Sequence, residues 1–158
     1  MNPLTQLKLT DLKHIYFIGI GGIGMSALAR YFNTQGMIVS GYDKTPTALT
    51  DSLIEEGIAI HFEDDLNQID KEATIIVYTP AVPSDHKELN FFRDNNYVVV
   101  KRSDVLQWVT ENAFTIGIAG THGKTTTTSM TAHILRHTGY GCNAFLGGIA
   151  SNYDTNFW

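Results

Sequence analysis

Six short, nearly continuous apolar runs punctuate the chain, at 14–20, 37–42, 58–62, 73–79, 97–101 and 114–120. They are rich in β-branched residues, as strands covered on both faces are. The segments "IGMSALARYFNTQG", "TALTDSLIEEG", "HKELNFFRDNN" and "SDVLQWVTENA" lie between them and carry apolar residues at helical spacing. This alternation of strand and helix predicts an α/β protein built on a doubly wound parallel sheet. Helix ends are marked locally: Ser84 or Asp85 can cap "SDHKELNFF", Thr45 or Thr47 can cap "KTPTALTDSLIEEG", and Gly57 would end that helix. The more polar "FEDDLNQIDKEA" (62–73) reads as a short helical turn and loop.

Two glycine-rich loops interrupt this pattern, each after a strand and before a helix. In "GIGGIGMS", Gly19, Gly21 and Gly24 form G-x-G-x-x-G. The first glycine permits a tight turn, the second lets backbone approach a diphosphate, and the third lets helix and strand pack closely. The free amides and positive dipole end of the following helix favour an anion. Asp43 ends the second strand 19 residues after Gly24, where a carboxylate commonly takes ribose hydroxyls. Alone, this half reads as a nicotinamide dehydrogenase; the plainer alternative is glycine used only for packing. "YTPAVPSDH" follows the fourth strand, so Thr79, Pro80 and Ala81 either shape a base or sugar pocket or belong to a proline-stiffened connection.

The second loop, "GTHGKTTTT", opens the helix "TTTTSMTAHILRHTG". Amides around Gly120 to Lys124 would wrap a triphosphate, Lys124 would meet its terminal phosphates, and the Thr125 hydroxyl would bind magnesium. Ile118 stands at the first glycine position of the strict G-x-x-x-x-G-K-[ST] pattern, leaving G-x-x-G-K-T. Threonine is a poor helix former, so four in succession call for a reason other than helix propensity. His133 and His137 are four apart but lack the glutamate of an H-E-x-x-H site, and read as a solvated helix face. No protease-like triad or carboxylate pair is apparent.

Composition narrows the partners. With 11 basic and 16 acidic residues, the formal charge of -5 repels nucleic acid in general, so phosphate binding must be local. A single cysteine, Cys142, precludes an internal disulfide; it reads as a small core residue of a strand. The start "MNPLTQLKLTDLKH" lacks a signal-peptide pattern and no 18 apolar residues run together, so a cytoplasmic location is the expectation. At 158 residues the chain suits one domain and part of another. The boundary is expected near Thr110 to Ala113, giving domains at 1–112 and 113–158.

Taken together, the stretches "HIYFIGIGGIGMSALARYF", "SGYD", "YTPAVP", "KRSDVLQ", "AGTHGKTTTTSM" and "CNAFLGGIASNYDTN" resemble the Mur ligases of peptidoglycan synthesis, over nearly the whole chain. The resemblance implies a Rossmann-like UDP-sugar-binding domain followed by the truncated beginning of a P-loop ATPase domain. Within the family, "GIGGIGMS" is closer to members that add L-alanine to UDP-N-acetylmuramate than to those recycling a muramyl tripeptide, whose loop reads more like G-I-C-G-T-F-M-G. The implied reaction transfers the ATP γ-phosphoryl group to the lactyl carboxylate, and the alanine amine then attacks the acyl phosphate. The implied ligands are UDP-N-acetylmuramate, L-alanine, ATP and Mg2+.

Carried over by position, Gly21, Gly22, Ile23 and Gly24 would hold the diphosphate, Asp43 the ribose, and Thr79, Pro80 and Ala81 the uracil. Arg102 would reach the substrate or sit on the surface at a helix start. Gly120, Thr121, His122, Gly123, Lys124, Thr125 and Thr126 would bind ATP, with Lys124 stabilising charge during transfer and Thr125 holding the metal. A chain of this extent is expected to bind the UDP-sugar without forming the amide. A nucleotide-binding module without chemistry is the rival from another class.

Overall fold

The computed structural model describes Leu4 and residues 7–158 except 112. The domain boundary expected at 112, and residues 1–3, 5 and 6 of the first domain, therefore fall outside the described residues. Five strands, β1 (His14–Ile18), β2 (Ile38–Tyr42), β3 (Ala59–His61), β4 (Ile75–Tyr78) and β5 (Val98–Lys101), form one parallel sheet in the order β3-β2-β1-β4-β5. The helices between them are α1 (Ile23–Thr34), α2 (Ala48–Glu55) and α3 (Lys87–Asp94), and α4 (Arg102–Glu111) begins directly after β5.

The strand alternation sorts side chains into two cores. Ile15, Phe17, Ile75, Val77 and Val100 face one side with Leu28, Phe32, Leu53, Val105 and Trp108. Tyr16, Ile18 and Ile76 face the other with Leu89 and Phe92 of α3. Near-continuous strand hydrophobicity thus reflects helices on both faces of the sheet. Thr47 caps α2 through a reciprocal pair with Thr50, and Gly57 follows that helix at φ 90°.

Helix α3 is capped differently from the expectation. Its N-cap is His86 rather than Ser84 or Asp85, and the Asp64 carboxylate accepts from the Lys87 and Glu88 amides at 2.9 and 3.1 Å. The His86 ring itself accepts only from the Leu89 amide, at 3.4 Å, and a residue from the β3–β4 connection takes the two amides before it. The 62–73 segment is indeed irregular, with turns but no helix.

The last part of the chain forms α5 (Lys124–His137) and an antiparallel hairpin of β6 (Phe145–Ala150) and β7 (Thr155–Phe157). The apolar run 114–120 is not a strand: it has no ladder, and Phe114 is 97% exposed. An apolar run becomes a strand only beside a partner, and among the described residues none flanks it. Cys142 lies just before β6 rather than in a strand, half-buried against the small cluster of Ala132, Ala144 and Leu146.

Residues Met25 to Phe32 of α1 are buried without a break, because the helix lies between the sheet on one side and the hairpin on the other. Tyr31 meets Phe145 and Phe157 at ring-centroid distances of 5.6 and 5.9 Å. Phe32, on the sheet side, is completely buried. Phe32→Ala is expected to lower stability by about 3–5 kcal/mol, from lost transfer energy plus a residual cavity, read as a reduced urea midpoint with little change in slope.

Candidate nucleotide sites at two helix starts

Strand order reverses between β1 and β4, which opens a crevice at their carboxyl ends. The first glycine loop and residues 79–81 stand on its two sides. Gly19 adopts φ 86°, and a Cβ there would lie 2.8 Å from Thr79 Cγ2, so the two walls touch at this point. A Cβ on Gly21 would fall 2.8 Å from Asp43 Oδ2. That closeness lets Asp43 accept from the Gly21 amide at 2.7 Å, while its other oxygen accepts from Thr45 N at 3.2 Å. Asp43 therefore braces the loop.

The Gly22 carbonyl takes the amides of Met25 and Ser26 at 2.9 and 2.8 Å. Among the described residues no acceptor takes the Ile23 or Gly24 N–H, leaving two amides at a helix start available to an anion. Arg102 Nη1 would lie 3.1 Å from a Cβ on Gly24, which places the guanidinium beside this turn. A cavity of about 470 Å³ is bounded by Gly22, Ile23, Gly24, Thr79, Ala81 and Arg102, and by Phe145, Leu146 and Gly147 of β6. The structure thus gathers most of the first predicted set, with Asp43 bonded to its loop, and adds a wall from β6. That wall is 121 residues beyond Gly24 in sequence if counted to Phe145, and no local signal announces it.

The second loop ends at Gly123, the N-cap of α5, in the left-handed conformation at φ 75°. The amides of Lys124, Thr125 and Thr126 have no acceptor among the described residues, and the Thr125 hydroxyl is likewise unbonded. Thr128 and Thr131 instead return their hydroxyls to the carbonyls four residues back, at 2.8 and 2.9 Å. Lys124 Nζ donates to the Gly120 and Thr121 carbonyls at 2.6 and 3.3 Å, folded over its own loop. This donor set of backbone amides, one ammonium and one free hydroxyl fits a nucleotide triphosphate with its cation. The sites are linked through β6, since a Cβ on Gly147 would lie 3.1 Å from Thr125 Oγ1.

The histidines of α5 differ from a purely solvated face. His133 Nδ1 lies 2.6 Å from the Tyr153 hydroxyl, and its ring stacks near His137 at 4.0 Å.

A buried polar cluster on the α3 face was not apparent from local patterns. Tyr16 Oη is 2.6 Å from both Glu88 Oε2 and His61 Nε2, and His61 Nδ1 is 2.8 Å from the Glu63 carbonyl. The carbonyl requires a proton on Nδ1. With Glu88 ionised, Tyr16 O–H donates to Oε2 and Nε2 must also be protonated to complete the set. With Glu88 neutral, its O–H can instead donate to Tyr16 Oη, and Tyr16 then donates to an unprotonated Nε2. Burial raises the Glu88 pKa from 4.5 to about 7 and lowers that of His61, so it favours the neutral form of each. Burial also raises Tyr16, with the Glu88 bond adding to it, and lowers His86.

Asp64, His86 and Glu88 bring ligand atoms within 4.8 Å of one another. Both Asp64 oxygens already accept α3 amides, and Glu88 accepts from Asp65 N at 3.2 Å besides pairing with Tyr16. The group is thereby a structural brace for the start of α3.

These features define an α/β protein with two glycine-rich loops, each leading into a helix start whose amides are open to an anion. The chain belongs to the Mur ligase family, whose catalytic-domain model matches residues 14–113. It is 57% identical over 150 residues to a Porphyromonas gingivalis protein named UDP-N-acetylmuramate--L-alanine ligase, covering 92% of this chain and 33% of that protein. The chain thus spans about a third of the length of such curated relatives. Among solved structures, the UDP-N-acetylmuramate-alanine ligase MurC of Thermotoga maritima superposes with TM-score 0.84 at 33% identity, over 92% of this chain and 34% of that one. The UDP-N-acetylmuramate:L-alanyl-gamma-D-glutamyl-meso-diaminopimelate ligase of Neisseria meningitides gives 0.80 at 30% identity, over 92% and 46%. Family membership sets aside the nicotinamide dehydrogenase. No helix among the described residues is long and apolar enough to cross a membrane.

The linkage sign for Glu88 is opposite to that of an ordinary paired carboxylate. Its folded pKa lies above its unfolded value, so its contribution is full below pH about 4.5 and is lost as pH rises through about 7. His61 and His86, lowered from 6.5, contribute in the other sense, losing stability as pH falls below 6.5. Glu88→Gln should therefore abolish the fall and leave stability rising toward pH 6.5, as read from urea midpoints at pH 5, 6 and 7.

Proposed function

We propose that this chain is the UDP-sugar-binding domain, with the opening of the ATP-binding domain, of a cytoplasmic enzyme joining L-alanine to UDP-N-acetylmuramate in peptidoglycan synthesis. The domains are taken as 1–112 and 113–158. The observation that carries this reading is the pair of helix starts with free amides on one chain, one beside the strand-reversal crevice and one preceded by a lysine-bearing loop. A dinucleotide enzyme has no use for the second. The alanine-joining reading is favoured over tripeptide recycling by the first loop, "GIGGIGMS", and by the 57% identity to a protein bearing the former name.

Each element has a definable task. The Ile23 and Gly24 amides take the diphosphate of the UDP-sugar, with Gly21 and Gly22 allowing its approach and Arg102 adding positive charge alongside. Asp43 accepts from the ribose with the lone pairs not used by Gly21 and Thr45. Thr79, Pro80 and Ala81 border the uracil across the crevice. Residues Gly120 to Thr126, His122 among them, form the ATP cradle, and Lys124 leaves its loop carbonyls to offset charge on the transferring group. Thr125 offers its hydroxyl to Mg2+. When bound, ATP and Mg2+ supply the phosphoryl group that activates the lactyl carboxylate as an acyl phosphate for attack by the alanine amine. Electrostatic stabilisation by one such donor is worth roughly 3–4 kcal/mol in the transition state.

Calorimetric titration of the 158-residue chain tests this directly. UDP-N-acetylmuramate should bind and NAD should not; tight NAD binding with no heat from the UDP-sugar would sink the reading. Lys124→Ala should leave UDP-sugar affinity unchanged while weakening ATP, and Gly21→Ala should do the reverse. The chain alone should release no phosphate on addition of ATP and L-alanine.

A further inference from the structure

Asn156 is completely buried, and all three of its bonded contacts run to other elements. Its Oδ1 accepts from Arg30 Nη1. Its Nδ2 donates to the Ile23 carbonyl at 2.6 Å and to Ser26 Oγ at 2.8 Å. Ser26 Oγ in turn donates to the carbonyls of Gly22 and Ile23, at 3.0 and 3.1 Å. One side chain of β7 therefore grips the first turn of α1, the turn whose Ile23 and Gly24 amides have no acceptor.

The peptide between Ile23 and Gly24 explains why the grip bears on binding. Its carbonyl points along α1 and its N–H points out of the helix start, so the two ends of one dipole face Asn156 and the crevice. A donor on the carbonyl polarises the peptide and makes its N–H a stronger donor, as hydrogen bonds in a chain reinforce one another. Bonding also restrains the plane of that peptide, with the Asn156 contact the shorter of the two side-chain bonds to its carbonyl.

We propose that Asn156 is a positioning residue for the diphosphate: it holds the Ile23–Gly24 peptide with its N–H aimed into the crevice, and so couples the segment after the ATP loop to the first glycine loop. The proposal rests on the UDP-sugar reading of that loop. It assigns specificity to a residue 132 positions from Gly24, on the far side of α5 in the chain. The hairpin carrying it also places Gly147 against Thr125, so one small unit abuts both phosphate loops.

The test compares wild type with Asn156→Ala by NMR of the backbone amides, first without ligand and then titrated with UDP-N-acetylmuramate and with uridine, which lacks the diphosphate. Without ligand, the Gly24 amide proton should move upfield in the variant as its peptide loses a donor. In the titrations, the UDP-sugar dissociation constant should rise about two- to tenfold, the range expected for one neutral hydrogen bond, while that for uridine stays the same. An unmoved Gly24 resonance, or equal weakening of both ligands, overturns the proposal. Failure of wild type to bind the UDP-sugar would instead overturn the function proposed above, and the ligand-free Gly24 shift would still decide the role of Asn156. Should Asn156→Ala melt, Asn156→Asp keeps the acceptor for Arg30 while removing the donor, and the same comparison applies.

Discussion

A guanidinium that is almost wholly buried must find acceptors on the elements around it, and Arg30 finds them on two. Its Nε donates to both Glu56 oxygens at 2.9 Å and its Nη2 to Glu56 and Ser52 at 2.6 and 3.0 Å, while Nη1 goes to Asn156. This one side chain joins the middle of α1, the end of α2 and strand β7. The hairpin is pinned over α1 as a result, and the cavity beside the first glycine loop gains its wall of Phe145 and Leu146. Removing either Glu56 or Asn156 would leave part of a buried cation facing nothing, a far larger penalty than an exposed ion pair could impose.

The chemistry of the two loops rests on that mechanical frame. Both loops use the same physical device, a helix start with amides left over, but they surround it differently. In the first, a carboxylate and a tight glycine turn stiffen the approach, as suits a ligand held still. In the second, an ammonium folds onto loop carbonyls, as suits a group that moves when the ligand arrives. Among the described residues, the α3 side of the sheet carries no such helix start beside a glycine-rich loop. Its Tyr16, His61 and Glu88 instead share protons in a buried chain, and Asp64 secures the helix that follows the 79–81 wall.

What could be read in the sequence was what local chemistry decides. The order of strands and helices, the Thr47 cap, the stop at Gly57 and both glycine loops are written in adjacent residues, and so were legible. The capping of α3 by Asp64 was not, because the cap comes from 23 residues away. The run 114–120 has strand composition yet no neighbour to pair with, and composition cannot report a neighbour. Tyr16 counted as one more apolar position in its strand; only the fold brings His61 and Glu88 to its hydroxyl. Asn156 sits in a polar stretch, "NYDTN", that looks solvated until the hairpin closes on α1.

The folded-back lysine of the second loop has a consequence for selectivity. While Lys124 is bonded to Gly120 and Thr121, the cradle is neutralised from within, and an entering anion must out-compete two carbonyls for the ammonium. A small, singly charged ion gains too little to displace it. A chain of phosphates long enough to meet the amides of Lys124, Thr125 and Thr126 together with the freed ammonium gains on several contacts at once. On the ATP reading proposed above, the loop would act as a threshold, closed to stray anions and opened by the polyvalent ligand that can use every donor it releases.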